Sequence, residues 1–275
     1  MSSLDVDQVA DLIREVADRL IVPRFRALAD GDVREKAKGD VVTVADIEVE
    51  HEIGRALSGL VPGVPVLGEE AAAADGTLTA RVLTADRYWL LDPLDGTSNF
   101  VAGDADIGTM LALVDGGRTV ASWIWQPIHQ VMYVAEAGSG AFRDGGRIVV
   151  PPTRPWVPQR AIGYTRTSFF DRRTAARIVA ASAGLGGVTP GPRAACITYP
   201  RLATRAADFA LFGRLHPWDH APGALLVAET GGAARRFDGG AYRADEEGMG
   251  LLIAADADHW SAIAETLGIG DLPAS

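Results

Sequence analysis

Two carboxylates, a glycine and a hydroxyl follow an apolar run in the stretch Trp89-Leu90-Leu91-Asp92-Pro93-Leu94-Asp95-Gly96-Thr97-Ser98-Asn99-Phe100. Residues 88–91 predict a buried strand, because consecutive bulky apolar residues suit a strand that is covered on both faces. Pro93 is expected to end regular pairing, and Gly96 permits backbone angles that other residues avoid. Because buried carboxylates are costly unless their charge is offset, the stretch predicts a site for divalent cations and for the phosphate that they bind.

Two other interpretations of this stretch are open. An Asp-Gly pair by itself is more often a simple turn after a strand. Haloacid-dehalogenase-like phosphatases carry the signature Asp-x-Asp-Gly-Thr, in which the first Asp is a nucleophile. Here two residues separate Asp92 from Asp95, and residues three apart on a regular strand do not share a face. That signature also normally lies near the N-terminus of a domain, so we rank this interpretation second.

Length, charge and cysteine content limit the class of protein. The chain has 275 residues, a formal charge of −10 and a single cysteine, Cys196. This length is enough for one large domain or for two closely packed lobes. The lone cysteine excludes an internal disulfide, and neither a signal-peptide pattern nor a membrane-spanning apolar stretch is evident, so we expect a cytoplasmic protein. The acidic charge argues against nucleic acid or an anionic membrane as a partner.

Apolar periodicity divides the chain into two parts at the Pro-rich residues 151–155. The first part predicts helices at residues 6–20 and after residue 46, a loop or hairpin at 29–41, a short strand at 64–67 and an antiparallel meander from 107 to 150. The second part predicts strands at 161–164, 209–212 and 251–254 that alternate with helices at 170–183, 196–207, 220–230 and 259–267. We therefore predict a layered α+β or α/β sandwich, with an N-terminal α+β lobe (1–150) and a smaller α/β lobe (151–275) in one compact unit.

Four motifs, in the same order along the chain, resemble those of the inositol monophosphatase family. They are the central stretch and three others: Asp40-Val41-Val42-Thr43-Val44-Ala45-Asp46, Gly68-Glu69-Glu70, and Trp218-Asp219-His220-Ala221-Pro222-Gly223, which continues to Gly231-Gly232. Each has a simpler structural interpretation. Thr43 and Asp46 fit a capping box, adjacent glutamates are commonly solvated, and Asp219 suits a helix N-cap. The family order across residues 40–232 argues against coincidence.

The resemblance implies the αβαβα sugar-phosphatase fold, with a site between the lobes that holds two or three Mg²⁺ ions. Carried over residue by residue, it implies a set of metal ligands: Glu69, Asp92, the carbonyl of Leu94, Asp95 and Asp219, with Thr97 beside the first ion. It assigns catalysis to Asp46, Thr97 and Glu69, and substrate binding to Asp95, Gly96, Thr97, Ser98 and Asp219, with the N–H groups of Gly96 and Thr97 on phosphate oxygens. It also implies inhibition by Li⁺ and a homodimer.

These residues predict a Mg²⁺-dependent phosphomonoesterase in which metal-activated water attacks phosphorus directly, without a phospho-enzyme. Oxygen-only ligands suit Mg²⁺. The expected substrate is a small phosphorylated metabolite similar to inositol monophosphate. A non-catalytic binding homologue is an alternative of another class, but such a homologue is expected to lose part of the acidic set, which is present here in full.

The segment that selects the substrate departs from the family pattern. Inositol-specific members have a glutamate where this chain has Phe212, and a phenyl ring cannot accept hydrogen bonds from ring hydroxyls. Arg193, Arg201 and Arg205 are either ordinary surface residues or contacts for a second anionic group. Fructose 1,6-bisphosphate, 3′-phosphoadenosine 5′-phosphate and histidinol phosphate, which are substrates of relatives, are therefore alternatives. The candidate specificity residues are Cys196, Arg205, Asp208 and Phe212.

Overall fold

A computed structural model describes residues 4–37, 40–246 and 248–269. The helices are α1 (Val6–Leu20), α2 (Val44–Leu60), α3 (Glu69–Ala74), α4 (Leu78–Leu83), α5 (Thr97–Ala102), α6 (Arg172–Ser182), α7 (Ala195–Ala203), α8 (Pro217–Ala228) and α9 (Trp260–Leu267). The first strands are β1 (Val33–Ala37), β2 (Asp40–Thr43), β3 (Val66–Gly68), β4 (Arg87–Asp95), β5 (Gly108–Asp115), β6 (Arg118–Gln126), β7 (Val131–Glu136), β8 (Gly140–Arg143) and β9 (Gly146–Arg147). The remaining strands are β10 (Ile162–Thr165), β11 (Gly187–Thr189), β12 (Phe209–Arg214), β13 (Ala233–Arg236) and β14 (Met249–Ala254).

The strands form two main sheets and a separate hairpin. The larger sheet has the order β3-β4-β5-β6-β7-β8-β9, and only its β3–β4 pair is parallel. The predicted meander is therefore confirmed. The smaller sheet has the order β11-β10-β12-β14-β13, in which β10 runs parallel to both of its neighbours. The hairpin β1–β2 is one of the two forms predicted for residues 29–41.

Helices and sheets alternate in five layers. Helices α1 and α2 pack on one face of the larger sheet, and α7 and α8 lie between the two sheets. Helices α6 and α9 cover the outer face of the smaller sheet. The predicted αβαβα sandwich is confirmed. The two sheets lie on either side of residue 151 in the sequence, and the division into two lobes at that point stays a prediction.

Several boundaries differ from the sequence prediction. Strand β4 runs past residue 91 because Pro93 interrupts the ladder without ending it, and pairing resumes where Asp95 faces Gly108. Helix α8 begins at Pro217, a residue that suits the first helical turn, so Asp219 lies inside that turn and is not the N-cap. The short elements α5, β11 and β13 were not predicted. No helix of the described residues is long and apolar enough to cross a bilayer.

Helix α8 approaches α7 closely at Gly223, and this contact leads to a stability prediction. A methyl group at Gly223 would overlap the buried ring of Tyr199. We expect Gly223→Ala to lower the free energy of unfolding by about 1–3 kcal/mol, measured by urea denaturation, because the packed helices must shift. Gly54→Ala in α2 is the control, since nothing lies within 4 Å of that added methyl group. There the helix propensity of alanine should raise stability by about 0.5–1 kcal/mol, and equal effects at both sites would contradict this account.

Candidate active site

The end of strand β4 brings two carboxylates into one pocket. Asp92 is 2% exposed, and its Oδ1 accepts a hydrogen bond from the Leu94 N–H at 3.1 Å. Residues three apart on a regular strand face opposite sides, but the irregular pairing between Asp92 and Asp95 lets both side chains line the same pocket. The irregularity thus allows the two carboxylates to act together.

Three of the predicted metal ligands meet in this pocket. Glu69 is the first residue of α3, Asp92 lies on β4, and Asp219 lies in the first turn of α8. Their carboxylates each offer an oxygen atom within 4.8 Å of the others. Oxygen atoms in such a group are the donors that a hard divalent cation prefers.

The other two predicted ligands lie beside this group. Asp95 lines the same pocket, but its Oδ2 accepts a hydrogen bond from the Cys196 N–H at 2.6 Å. The carbonyl of Leu94 accepts a hydrogen bond from the Thr97 hydroxyl at 3.1 Å. Both residues are therefore within the site, although neither belongs to the close group of three.

The acidic group is electrostatically unfavourable without a cation. Burial raises the pKa of Asp92 well above its ordinary value, and the charges of Glu69, Asp95 and Asp219 raise it further. Burial also raises the pKa of Asp95 to about 6, although hydrogen bonds from Cys196 oppose this shift. For Asp219, burial and Glu69 raise the pKa against the opposing charges of two arginines. A bound divalent cation would offset these charges, so the residues present fit such an ion.

A hydrogen-bonded chain of side chains adjoins the acidic group. Asp46 is 1% exposed, and its Oδ1 accepts a hydrogen bond from the Thr97 hydroxyl at 3.0 Å. Its Oδ2 accepts hydrogen bonds from the Thr43 N–H at 2.8 Å and the Thr43 hydroxyl at 2.5 Å. Asp46 thus completes the predicted capping box of α2 and also holds Thr97. Burial raises the pKa of Asp46 to about 7, although the hydrogen bonds from Thr43 oppose the shift.

The start of helix α5 faces the same pocket with backbone N–H groups. Gly96 has φ +85°, and a Cβ there would lie 2.9 Å from the carbonyl oxygen of Asp106, so only glycine fits. The N–H groups of Gly96, Thr97 and Ser98 lie where a helix offers its backbone donors no internal acceptor. Such N–H groups suit the oxygen atoms of a phosphate.

Two residues that support the acidic group from outside the pocket were missed by the sequence analysis. Lys36, on strand β1, donates hydrogen bonds from Nζ to Glu69 and Glu70, both at 2.8 Å. Burial opposes its charge, but the two glutamates more than compensate and raise its pKa. Glu50, on α2, accepts the N–H groups of Glu70 and Ala71, both at 2.8 Å, and so anchors the start of α3. No pattern in the sequence marks either residue, because both act through contacts with another element.

The four candidate specificity residues have different surroundings. Phe212 lines the pocket and stacks on Tyr199, with ring centroids 5.6 Å apart and an interplanar angle of 10°. Cys196 is fully buried, and its backbone N–H donates a hydrogen bond to Asp95.

The other two candidates, like Cys196, are not among the residues that line the pocket. Arg205 forms an ion pair with Asp256 at 2.9 Å, and Asp208 accepts the Ile162 N–H at 2.7 Å. Protein contacts outside the pocket engage both side chains, and their role in specificity stays a prediction.

Histidine and arginine residues complete the pocket wall. His220 is 2% exposed, and its Nδ1 and Nε2 lie 2.8 Å from the Tyr199 hydroxyl and 3.0 Å from the Arg214 carbonyl. Burial lowers the pKa of His220 to about 4, so the ring is neutral. Arg193 lines the pocket as the sequence allowed, and Arg166 and Arg214 line it without having been predicted.

Comparison with known proteins gives a family and a fold. The model of the inositol monophosphatase family matches residues 5–268. A fructose-1,6-bisphosphatase/inositol-1-monophosphatase of Thermotoga maritima is 30% identical over 239 residues, which are 83% of each chain. The 3′(2′),5′-bisphosphate nucleotidase CysQ of Escherichia coli is 35% identical over 153 residues, 54% of this chain and 60% of CysQ. The solved structure of an IMPase from Thermotoga maritima aligns with a TM-score of 0.79 at 25% identity and covers 96% of both chains.

Proposed function

Since the chain belongs to the inositol monophosphatase family and is a phosphoric monoester hydrolase, we propose that it hydrolyses a small phosphorylated metabolite with the help of Mg²⁺. The observation that supports this proposal most strongly is the group of Glu69, Asp92 and Asp219, whose carboxylates approach within 4.8 Å of one another. The haloacid-dehalogenase interpretation is wrong, because the family match spans residues 5–268. The complete acidic set also argues against a non-catalytic homologue.

The proposed cofactor is two or three Mg²⁺ ions. Their ligands would be the three grouped carboxylates together with Asp95 and the carbonyl of Leu94. Bound Mg²⁺ supplies positive charge that offsets the phosphate and polarises water. Only oxygen donors are offered, which favours Mg²⁺ over softer metals.

The side chains and backbone of the protein would perform the remaining tasks. The N–H groups of Gly96, Thr97 and Ser98 hold phosphate oxygens at the start of α5. The Thr97 hydroxyl orients the attacking water. A proton of that water passes by way of the hydroxyl toward Asp46, whose pKa of about 7 suits a base near neutral pH. A bond forms between the water oxygen and phosphorus as the ester P–O bond breaks; the leaving oxygen takes up a proton from solvent, and Asp46 returns the proton it accepted to solvent. No phospho-enzyme is needed.

Phosphate release tests this function. We expect the purified protein to release phosphate from myo-inositol 1-phosphate, or from one of the alternative phosphomonoesters, when Mg²⁺ is present. Chelation of Mg²⁺ should abolish the release, and added Mg²⁺ should restore it. Release that persists in excess chelator would contradict the proposed role of the metal. A folded protein that releases phosphate from none of these esters would contradict the proposed substrate class.

Thr97→Val tests the proposed orientation of water. We expect kcat to fall by about 10- to 100-fold with little change in KM, because the hydroxyl acts on the attacking water and the backbone N–H of residue 97 is kept. Thr97→Ser is the matched control, since it keeps the hydroxyl and should retain most of the activity. Steady-state kinetics at saturating Mg²⁺ measures both variants. A serine variant that loses as much activity as the valine variant would contradict the role of the hydroxyl, because serine keeps that group.

Other properties proposed for this protein rest on the family resemblance. We infer a homodimer, a cytoplasmic location and inhibition by Li⁺. The single cysteine, Cys196, is consistent with a reducing compartment. Light scattering measures the oligomeric state, and phosphate release at increasing LiCl, with KCl as the control, measures the inhibition.

A further inference from the structure

Beyond the carboxylates, the same pocket is lined by arginine and large aromatic side chains. Its volume is about 560 Å³, and these side chains are Tyr164, Arg166, Phe169, Arg193, Phe212 and Arg214. They come from three separate segments: the end of β10 and the residues after it, the residues before α7, and the end of β12. The pocket therefore has an acidic part and a basic, aromatic part.

The three pocket arginines offer donors that the protein leaves available. Among the described residues, no carboxylate forms an ion pair with Arg166, Arg193 or Arg214, and only the Phe169 ring lies against Arg166, 5.6 Å from centroid to guanidinium. Two arginines nearby in the sequence have protein partners instead: Arg201 donates a hydrogen bond to the Tyr164 hydroxyl, and Arg205 forms an ion pair with Asp256. Each guanidinium carries five N–H donors, so the pocket arginines can bind an anionic ligand.

The charge of the surrounding segment supports this interpretation. Residues 154–214 contain ten arginines, no lysine and two aspartates, a formal charge of +8 in a chain whose total is −10. Arg214 and Arg166 also act electrostatically on Asp219, so they lie near the acidic group. A cleft with a local excess of positive charge raises the concentration of anionic ligands near it.

The wall at Phe212 argues against a leaving group made only of hydroxyls. The ring is held by stacking on Tyr199, and His220 meets it edge-on with centroids 4.8 Å apart. This aromatic wall offers apolar contact and cannot accept hydrogen bonds from a polyol. The cationic side chains on this side of the pocket, Arg166, Arg193 and Arg214, stand beside a few neutral polar groups, those of Tyr164, Thr198 and His216.

We propose that Arg193 and Arg214, together with Arg166, form a subsite for a second anionic group on the leaving group of the substrate. A phosphate or a carboxylate would fit, because both accept paired N–H donors from a guanidinium. This inference rests on the proposed function and specifies its substrate class: a phosphomonoester that carries a second anion.

Matched substrate pairs test the subsite. Fructose 1,6-bisphosphate and fructose 1-phosphate differ by one phosphate, as do 3′-phosphoadenosine 5′-phosphate and adenosine 3′-phosphate. A third pair, 2-phosphoglycerate and glycerol 2-phosphate, differs by a carboxylate against a hydroxymethyl group. In each pair, the doubly anionic member is the ester that carries a second anionic group besides the phosphate that is cleaved. We expect kcat/KM to favour this member in at least one pair by about 10- to 100-fold, and the favoured pair identifies the second group as phosphate or carboxylate.

Arginine variants separate a binding role from a general electrostatic role. Arg193→Gln and Arg214→Gln should each lower kcat/KM for the preferred doubly anionic substrate by about 10-fold or more, mainly through KM. Arg193→Gln should leave the singly anionic member of the pair within about 2-fold, whereas Arg214→Gln should lower both members, the doubly anionic one more, because Arg214 also acts on Asp219. Arg172→Gln is the control, because this exposed residue of α6 does not line the pocket and should change neither member.

The outcomes distinguish this inference from the proposed function. If the protein hydrolyses these esters without preference within any pair, or if the variants affect both members equally, the second-anion subsite is wrong while the phosphatase function stands. If myo-inositol 1-phosphate or histidinol phosphate is hydrolysed with Mg²⁺ present and no ester of the three pairs is, the subsite is wrong while the phosphatase function stands. If none of these esters is hydrolysed, the proposed function fails, and the subsite that rests on it fails too.

Discussion

Replacing Asp92 with asparagine should lower kcat/KM by about 10³-fold or more while making the metal-free protein more stable. Asp92 is 2% exposed, and its carboxylate lies among those of Glu69, Asp95 and Asp219. Asparagine has nearly the same shape and can still accept the hydrogen bond from the Leu94 N–H. It removes the charge that would hold the cation, so several kcal/mol of transition-state stabilisation should be lost. Without metal, it also removes repulsion from the neighbouring carboxylates.

Two measurements and one control decide this prediction. Phosphate release at saturating Mg²⁺ gives kcat/KM, and urea denaturation in chelator gives the free energy of unfolding. Asp18→Asn is the control, because Asp18 is exposed on α1, away from the pocket, and should change neither quantity. Near-normal turnover in Asp92→Asn would contradict the assignment of Asp92 as a metal ligand. A less stable metal-free variant would contradict the electrostatic account.

The second large effect concerns the pH dependence of stability. As pH rises, the buried carboxylates of the site become charged and should lower the free energy of unfolding, and bound Mg²⁺ should counteract this loss. In the metal-free protein, burial raises the pKa of Asp95 to about 6 and that of Asp46 to about 7. The folded state therefore binds protons more tightly than the unfolded state. This contribution to stability is fully present below about pH 4 and is lost as pH rises through about 6 to 7. Because each tenfold difference in proton affinity between the two states corresponds to roughly 1.4 kcal/mol, the loss should amount to a few kcal/mol.

Bound Mg²⁺ should act in the opposite direction. Carboxylate ligands must lose their protons to bind a cation, so the affinity for Mg²⁺ should increase between about pH 5 and pH 7.5. At Mg²⁺ concentrations near 1,000 times Kd, the stabilisation should reach about 4 kcal/mol. Urea denaturation at several pH values, with Mg²⁺ or with chelator, measures the difference between the two conditions.

Two controls test the origin of this difference. NaCl at matched ionic strength should not reproduce the effect of Mg²⁺, which excludes simple screening of surface charges. In Asp92→Asn the Mg²⁺-dependent increase should be much smaller. An increase that is the same at every pH would contradict a site built from carboxylates with raised pKa values.

The acidic group could be predicted in part from a local pattern, because Asp92 and Asp95 come at the end of an apolar run. Glu69 and Asp219 were predicted only from the resemblance of their motifs to those of the family, since by themselves both have simpler structural interpretations. The direction of Asp95 could not be predicted, because it depends on the irregular pairing at Pro93. The exact start of α8 was also missed, although Pro217 at its first position is a recognised signal for a helix start.

Residues that act through tertiary contacts were beyond sequence analysis. Lys36 reaches Glu69 from a hairpin 33 residues earlier. The sequence places Arg205 in the specificity segment and so makes it a candidate for substrate contact, but Asp256 pairs with it from a later part of the chain. Arg166 and Arg214 gave no sequence signal that separated them from surface arginines. The fold alone determines which of these cations lines the pocket.

Anomalous diffraction from crystals grown with Mn²⁺ and phosphate tests the central claim most directly, since Mn²⁺ accepts the same oxygen ligands as Mg²⁺. The account predicts anomalous density among Glu69, Asp92 and Asp219, with a phosphate beside the first N–H groups of α5. Asp92→Asn crystals grown in the same way should lose most of that density. Anomalous density only elsewhere, with none among Glu69, Asp92 and Asp219 at saturating Mn²⁺, would contradict the assignment of this pocket as the catalytic site.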